Sequence, residues 1–233
     1  MSAPPVPTST PLNRADHPDS AVAAASSSGA AASSSGAAAS TSGAATTPAL
    51  LYIGALVGLV LVTRLPALTA WPAGHDSVNF VLALDRFDLS AHRPHFPGYP
   101  VFLAAAWPWY QLGLSAAVAL CMAAVIASAV AAVALWRLFA DQLGAAGAFA
   151  VALISVALPG IWLADVTPMS DGLGVHLFTI SLCALLAARR RPQLAGLAAV
   201  GFGVLIGVRA SYAPLALAGL VVALAQLPRG RAA

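Results

Sequence analysis

The chain is 233 residues long and 60% apolar, and it holds 11 arginines and 8 aspartates but no lysine or glutamate. So little charge, divided among apolar runs long enough to cross a bilayer, excludes a soluble globular body. The net charge of +3 sits as arginines at the ends of those runs, where it reports membrane orientation and not nucleic-acid binding.

Residues 1–46 are mostly Ser, Ala, Gly, Thr and Pro, with near-repeats of AAASSSGA. They offer too little apolar surface to offset the entropy of ordering, so a disordered cytoplasmic tail is expected. The first apolar run starts too far along the chain for a secretory signal. Residues 47–228 form the expected transmembrane domain and 229–233, with Arg229 and Arg231, a basic C-terminal tail.

A first span is expected at residues 50–68, with Arg64 and Pro66 near its outer end and Trp71 as an interfacial anchor. The first outer loop, 71–114, opens with WPAGHDSVNFVLALDRFDLSAHRPHFPGYP, a stretch unusually rich in Asp, Arg and His for this chain. In it Asp76 is placed to cap a short helix over residues 77–87. Pro97, Gly98 and Pro100 then set a fixed turn into a second short helix. Residues 101–110, with Trp107, Trp109 and Tyr110, are too short and too aromatic for a full span and read as re-entrant or interfacial.

Stronger spans follow at 115–138, 145–164, 172–188, 194–208 and 212–227. If residues 101–110 do not cross, the termini, Arg189–Arg190–Arg191 and the basic tail all lie in the cytoplasm, as short-loop arginines prefer. The fold class is therefore all-α polytopic membrane protein, with about six transmembrane helices plus juxtamembrane helices in the first outer loop. Cys121 and Cys183 lie within apolar runs and read as small buried hydrophobes. His176, inside a span, is expected to hydrogen-bond across the bundle.

This topology sends Asp76, Asp165, Asp171 and Arg209 to one outer rim, together with His75, His92, Arg93 and His95. A carboxylate partly withdrawn from water can act as a general base toward a hydroxyl, and an arginine offers a fork of donors to a phosphate. Both at headgroup depth suit a lipid phosphate as substrate. Structural readings stand beside the functional ones: Asp76 as a helix cap, Asp171 as a charge favoured by a helix dipole, Asp165 as a surface or capping residue, Arg209 as a snorkelling side chain.

The elements GHDSVNF with Asp76, PHFPGYP at 94–100, PMSD ending at Asp171 and GVRASYAPL with Arg209 occur in that order over about residues 50–227. In this the chain resembles the N-terminal part of the GT-C superfold of membrane glycosyltransferases, which includes dolichyl-phosphate-mannose protein mannosyltransferases and lipid A aminoarabinose transferase. The resemblance implies a GT-C-like fold and transfer of a sugar from a polyprenyl-phosphate donor to a lipid, glycan or protein hydroxyl outside the cytoplasm of a bacterial inner membrane. By the same resemblance Asp76 deprotonates the acceptor, Asp171 helps position substrates, and Arg209 holds the donor phosphate. Substrate-positioning candidates are His75, His92, Arg93, His95 and Asp165. No cofactor or metal site is called for, with a divalent metal left open, and the expected partners are membrane lipids and the two substrates, not nucleic acid. Relatives are generally much longer, so a fragment or reduced homologue, completed by a partner chain supplying further spans, is part of the expectation. The alternatives are a transporter or flippase-like component and a non-catalytic membrane scaffold.

Overall fold

A computed structural model describes residues 42–72 and 74–227, and apart from an isolated bridge between Asp88 and Arg93 their regular structure is helical. The helices are α1 (Ser42–Arg64), α2 (His75–Asp85), α3 (Pro100–Gln111), α4 (Ala116–Ala157), α5 (Pro159–Val166), α6 (Ser170–Ala188), α7 (Leu194–Val208) and α8 (Ala213–Ala225). Three are long and apolar enough to cross a membrane, over Ala49–Ala67, Ala116–Ala157 and Ser170–Ala188, while Leu194–Val208 and Ala210–Ala225 are apolar but shorter. The protein is a multi-pass membrane protein, and large apolar side chains such as Leu51, Val62, Ile154, Val200 and Val221 lie exposed on its helices, as lipid contact requires.

The 42 residues of α4 are not one rod. Gly144 has φ 70°, which a residue with a Cβ adopts only with strain, and the helix folds back there into two arms. Trp136 Nε1 donates to the Ala145 carbonyl at 3.1 Å across the bend, and Val125, Ala129 and Ala132 of one arm share a core with Ala148, Ala152 and Val156 of the other. The expected span at 145–164 is interrupted as well. The second arm stops at Ala157 and Pro159, which has no N–H to continue the ladder, opens α5.

Helix α1 lies antiparallel to the first arm of α4. Tyr52 stacks on Trp136 near the bend, and Leu56 and Val60, further along α1, join the core that contains Val125. The segment between α1 and α4 thus begins and ends at the same end of the bundle. Within it α3, at 12 residues, is about 18 Å long, well short of a hydrocarbon core of about 30 Å. It packs Phe102, Leu103 and Ala106 against Ala119, Leu120 and Ala123 of α4 and against Leu173 and Val208.

Two contacts identify the ends. Arg190 Nη1 lies 3.3 Å from Asp141 Oδ2, joining the triple-arginine turn to the α4 bend. Arg209 meets Asp171 at the opposite end, where α7 finishes and α6 starts. The first loop shares this second end.

Three further expectations need correction. Helix α1 begins at Ser42, inside the stretch expected to be unstructured, because the Ala-containing lead-in to the apolar run joins its helix. Helix α2 runs from His75 to Asp85, not over 77–87, since Gly74 and not Asp76 is its N-cap. Asp165 is not a surface residue: it is fully buried. The rest of the tail, residues 1–41, and the basic end at 229–233 lie outside the described residues.

Candidate functional site

The rim is assembled from four segments. At the start of α2, Ser77 Oγ accepts the Gly74 N–H at 2.9 Å and donates to the Gly74 carbonyl at 2.8 Å. That hydroxyl fills the capping role, so Asp76, in the first turn and half exposed, keeps its carboxylate for other partners. Its Oδ1 stands 3.8 Å from His95 Nδ1, an ionic distance too long for a hydrogen bond. His95 Nε2 is 2.9 Å from Tyr99 Oη, and the Tyr99 ring packs edge to face with both His95 and Phe80, which are tilted against each other.

The loop that carries His95 is shaped by local chemistry. Asp88 accepts from the Ser90 hydroxyl and from the Ser90 and Ala91 N–H groups, which hold its carboxyl below the usual range. Gly98, at φ 99°, and Tyr99, at φ 48°, then turn the chain into α3. A Cβ at position 98 would also press to 3.3 Å on Leu89. A left-handed tyrosine is a strained backbone position of the kind that concentrates at binding sites.

The other half comes from α6 and α7. Asp171 lies in the first turn of α6, whose N-cap Met169 contributes no side-chain hydrogen bond. Arg209 follows α7 in extended backbone, and its Nη1 donates to Asp171 Oδ2 at 2.5 Å and to Ser170 Oγ at 3.5 Å, while Nε donates to Ser211 Oγ at 3.0 Å. Nη2 makes no hydrogen bond among the described residues. Arg209 is 30% exposed and Asp171 46%.

The halves meet at the start of α3. Val101 packs so closely on α7 that a Cβ on Gly207 would come within 2.5 Å of Val101 Cγ2. The Tyr99 phenol is pushed above its ordinary value, first by burial, then by the charges of Asp76 and Asp171, with Arg209 acting in the opposite direction. Tyr99 also packs on the core cluster that includes Leu173 of α6 and Val208 of α7, the near neighbours of Asp171 and Arg209.

Of the sequence candidates, Asp76, His95, Asp171 and Arg209 share this rim. His75, the first residue of α2, and His92, at the end of a 3₁₀ turn, are exposed, and neither they nor the Arg93 side chain make a side-chain hydrogen bond or ion pair among the described residues. Asp165 belongs to a second centre. Arg64 Nε donates to Asp165 Oδ2 at 2.7 Å, His176 Nε2 lies 2.6 Å from Asp165 Oδ1, and all three residues are buried. The other two guanidinium nitrogens each donate once, Nη2 to the Val156 carbonyl at 2.7 Å and Nη1 to Thr63 Oγ1 at 3.0 Å. This triad ties α1, both ends of the α4–α5 corner, and α6 together.

A cavity of about 190 Å³ lies beside His176, with Ser128, Ser155 and Thr179 on its polar side. The Ser155 and Thr179 hydroxyls are bonded within their own helices, and Ser128 Oγ is buried without a partner.

Tyr99 and Arg64 are the residues that sequence reasoning missed. Tyr99 stood inside a turn whose prolines and glycine explained it structurally. Arg64 had a usable signal, since an arginine at the outer end of a span runs against the charge rule and calls for a partner. Among the described residues no group of three or more His, Cys, Asp or Glu could hold a metal ion. No protein-family model, curated protein or solved structure matches the chain.

Proposed function

We propose that this protein is a GT-C-like glycosyltransferase that moves a sugar from a polyprenyl-phosphate donor to an acceptor hydroxyl at the extracytoplasmic rim. The observation that carries the reading is that two charged pairs, Asp76 with His95 beside Tyr99 and Asp171 with Arg209, stand at one end of the bundle, and that Tyr99 packs on the core cluster that holds Leu173 of α6 and Val208 of α7. Orphaned polar atoms add support: Asn79 Nδ2, one turn along α2 from Asp76, and His95 Nδ1 are buried without hydrogen bonds. Buried polar groups left open by the protein are the kind that a ligand or water satisfies.

In this reading the chain passes the membrane about six times, the α4 bend and triple-arginine turn face the cytoplasm, and the rim faces out. Asp76 takes the acceptor proton as the acceptor oxygen bonds to the anomeric carbon. The bond from that carbon to the donor phosphate oxygen breaks, and the polyprenyl phosphate leaves with the electron pair, held by the Arg209 fork. Asp171 holds Arg209 in place until the anion arrives.

The transporter reading has the buried triad and the neighbouring cavity in its favour, because ionisable groups inside a membrane bundle commonly line pathways. Against it, every donor nitrogen of Arg64 already has an acceptor within the protein, which is how a structural lock is built.

The test is turnover of radiolabelled polyprenyl-phosphate sugars by the full chain in lipid nanodiscs, read as release of polyprenyl phosphate. Asp76→Asn is expected to cut it by about a hundredfold or more, as loss of a general base does. Wild-type turnover in that variant would sink the assignment.

A further inference from the structure

The Tyr99 hydroxyl meets His95 Nε2 at 2.9 Å, a bond that runs in either direction depending on which partner carries the hydrogen. If the imidazole is neutral with its hydrogen on Nδ1, Nε2 accepts the phenol O–H, and that hydrogen is tied inward. If the imidazole carries both hydrogens, Nδ1–H faces Asp76, Nε2–H donates to Oη, and the phenol hydrogen must find an acceptor elsewhere.

We propose that Tyr99 is an anion-contacting residue of the rim and His95 its positioning residue: a doubly protonated His95, set between Asp76 and Tyr99, turns the phenol O–H outward onto a phosphodiester held by Arg209. The inference rests on the reading of the rim as a donor-phosphate site and adds to it a second donor and a proton linkage. The ligand class is a singly charged phosphodiester on an apolar chain, since Arg209 and the doubly protonated His95 are each already faced by a carboxylate, Asp171 and Asp76, and leave no surplus positive charge for the second charge of a dianion.

The geometry supports this in three ways. The loop fixes both partners, with Tyr99 held in left-handed backbone at the head of α3 and its ring locked against Phe80 and His95. The Asp76 carboxylate is 3.8 Å from an Nδ1 that no protein acceptor satisfies, so a hydrogen there would be met by a negative charge. Burial holds Tyr99 in its protonated form well beyond neutral pH, which keeps it a donor.

The charged and titratable groups around His95 are Asp76 from α2, Tyr99 at the head of α3, and, across the phenol, Asp171 from α6 and Arg209 after α7. Arg137 and Asp141, the charged residues of α4, lie toward the bend at the other end. The linkage has one sign: binding the anion takes up a proton on His95, so affinity rises as pH falls.

The experiment titrates the full chain in detergent micelles with farnesyl methyl phosphate, whose single charge does not change between pH 5.5 and 8, with farnesol as the uncharged control for chain partitioning. Wild type is expected to bind the phosphodiester about tenfold more tightly at pH 5.5 than at pH 8. Tyr99→Phe keeps the ring packing and loses the donor, so its affinity at pH 5.5 should fall about tenfold and its pH slope should vanish. His95→Gln carries an amide N–H that donates to Oη at every pH, so it should bind without a slope and at least as well as wild type at pH 8. A Tyr99→Phe protein with wild-type affinity and slope, or a His95→Gln protein that keeps the slope, overturns the proposal while leaving the rim site standing. Wild type that fails to bind at either pH, or binding that Arg209→Ala leaves unchanged, removes the donor-phosphate reading and this inference with it.

Discussion

Arg64–Asp165 and Arg209–Asp171 are chemically the same pair, and each joins two helices at one end of the bundle. Their surroundings differ. Arg64 and Asp165 are 1% and 0% exposed, and each nitrogen of the guanidinium and each carboxylate oxygen has a protein partner. Arg209 and Asp171 are 30% and 46% exposed, and Nη2 of the arginine carries no protein hydrogen bond among the described residues. A desolvated pair with every nitrogen and oxygen engaged is committed to holding its helices, because any partner removed leaves a buried charge. A half-exposed pair at a rim gains little from its own attraction and can exchange one partner for a ligand at small cost. What separates lock from site here is spare hydrogen-bonding capacity, not residue type.

The largest effect should come from breaking the lock. Asp165→Asn keeps the shape but strips the charge facing Arg64, and a loss of about 3–5 kcal/mol is expected. Thermal unfolding in detergent, followed by helical circular dichroism, would show a sharply lowered midpoint or no folded protein. Replacing both partners together, as Arg64→Met with Asp165→Leu, should recover much of the loss, since no lone charge then remains. If Asp165→Asn alone melted as wild type does, the buried triad would not be a lock.

The matching change at the rim should hardly move stability. Asp171→Asn is expected to cost about 1 kcal/mol or less in the same melt. Arg209→Ala should likewise fold, and should weaken use of the polyprenyl-phosphate donor about tenfold or more while leaving acceptor use nearly unchanged. Equal losses toward donor and acceptor would argue against phosphate binding, and a melt as damaged as that of Asp165→Asn would erase the distinction between the two pairs.

Sequence reasoning reached the rim more readily than the lock, for a physical reason. Apolar length and arginine placement dictate which ends of helices lie together, and that was enough to gather Asp76, Asp171 and Arg209 at one end. It also separated α3 from the spans, because about 18 Å of helix cannot cross a bilayer. The turn in α4 at Gly144 was legible too, as the gap between the expected spans 115–138 and 145–164, where Arg137, Asp141 and Gln142 interrupt the apolar run. The lock depends on three side chains far apart in sequence, from α1, α5 and α6, and periodicity does not report which buried groups face each other. His176 was legible as a polar residue needing a partner across the bundle, but its partner was not. Asp165 looked like a loop carboxylate because the expected span ended at residue 164, whereas the helix continues to Val166. Arg64 carries the same signal as Arg209, an arginine without an obvious anion at a helix end expected to face out.

The smallest effect tests what His176 adds to the lock. With the Arg64 and Asp165 charges cancelling, the imidazole has only to donate Nε2–H to Asp165 Oδ1, and a neutral amide can do the same. His176→Gln should therefore cost about 1 kcal/mol or less, while His176→Ala, which leaves that oxygen buried without a donor, should cost about 1–3 kcal/mol. The two variants differ in a hydrogen bond and not in charge, so their gap measures the bond. If His176→Gln proved as damaging as Asp165→Asn, the histidine would be supplying charge. The centre would then have to be redrawn as one carboxylate between two cations, further from the simple pair at the rim than its distances suggest.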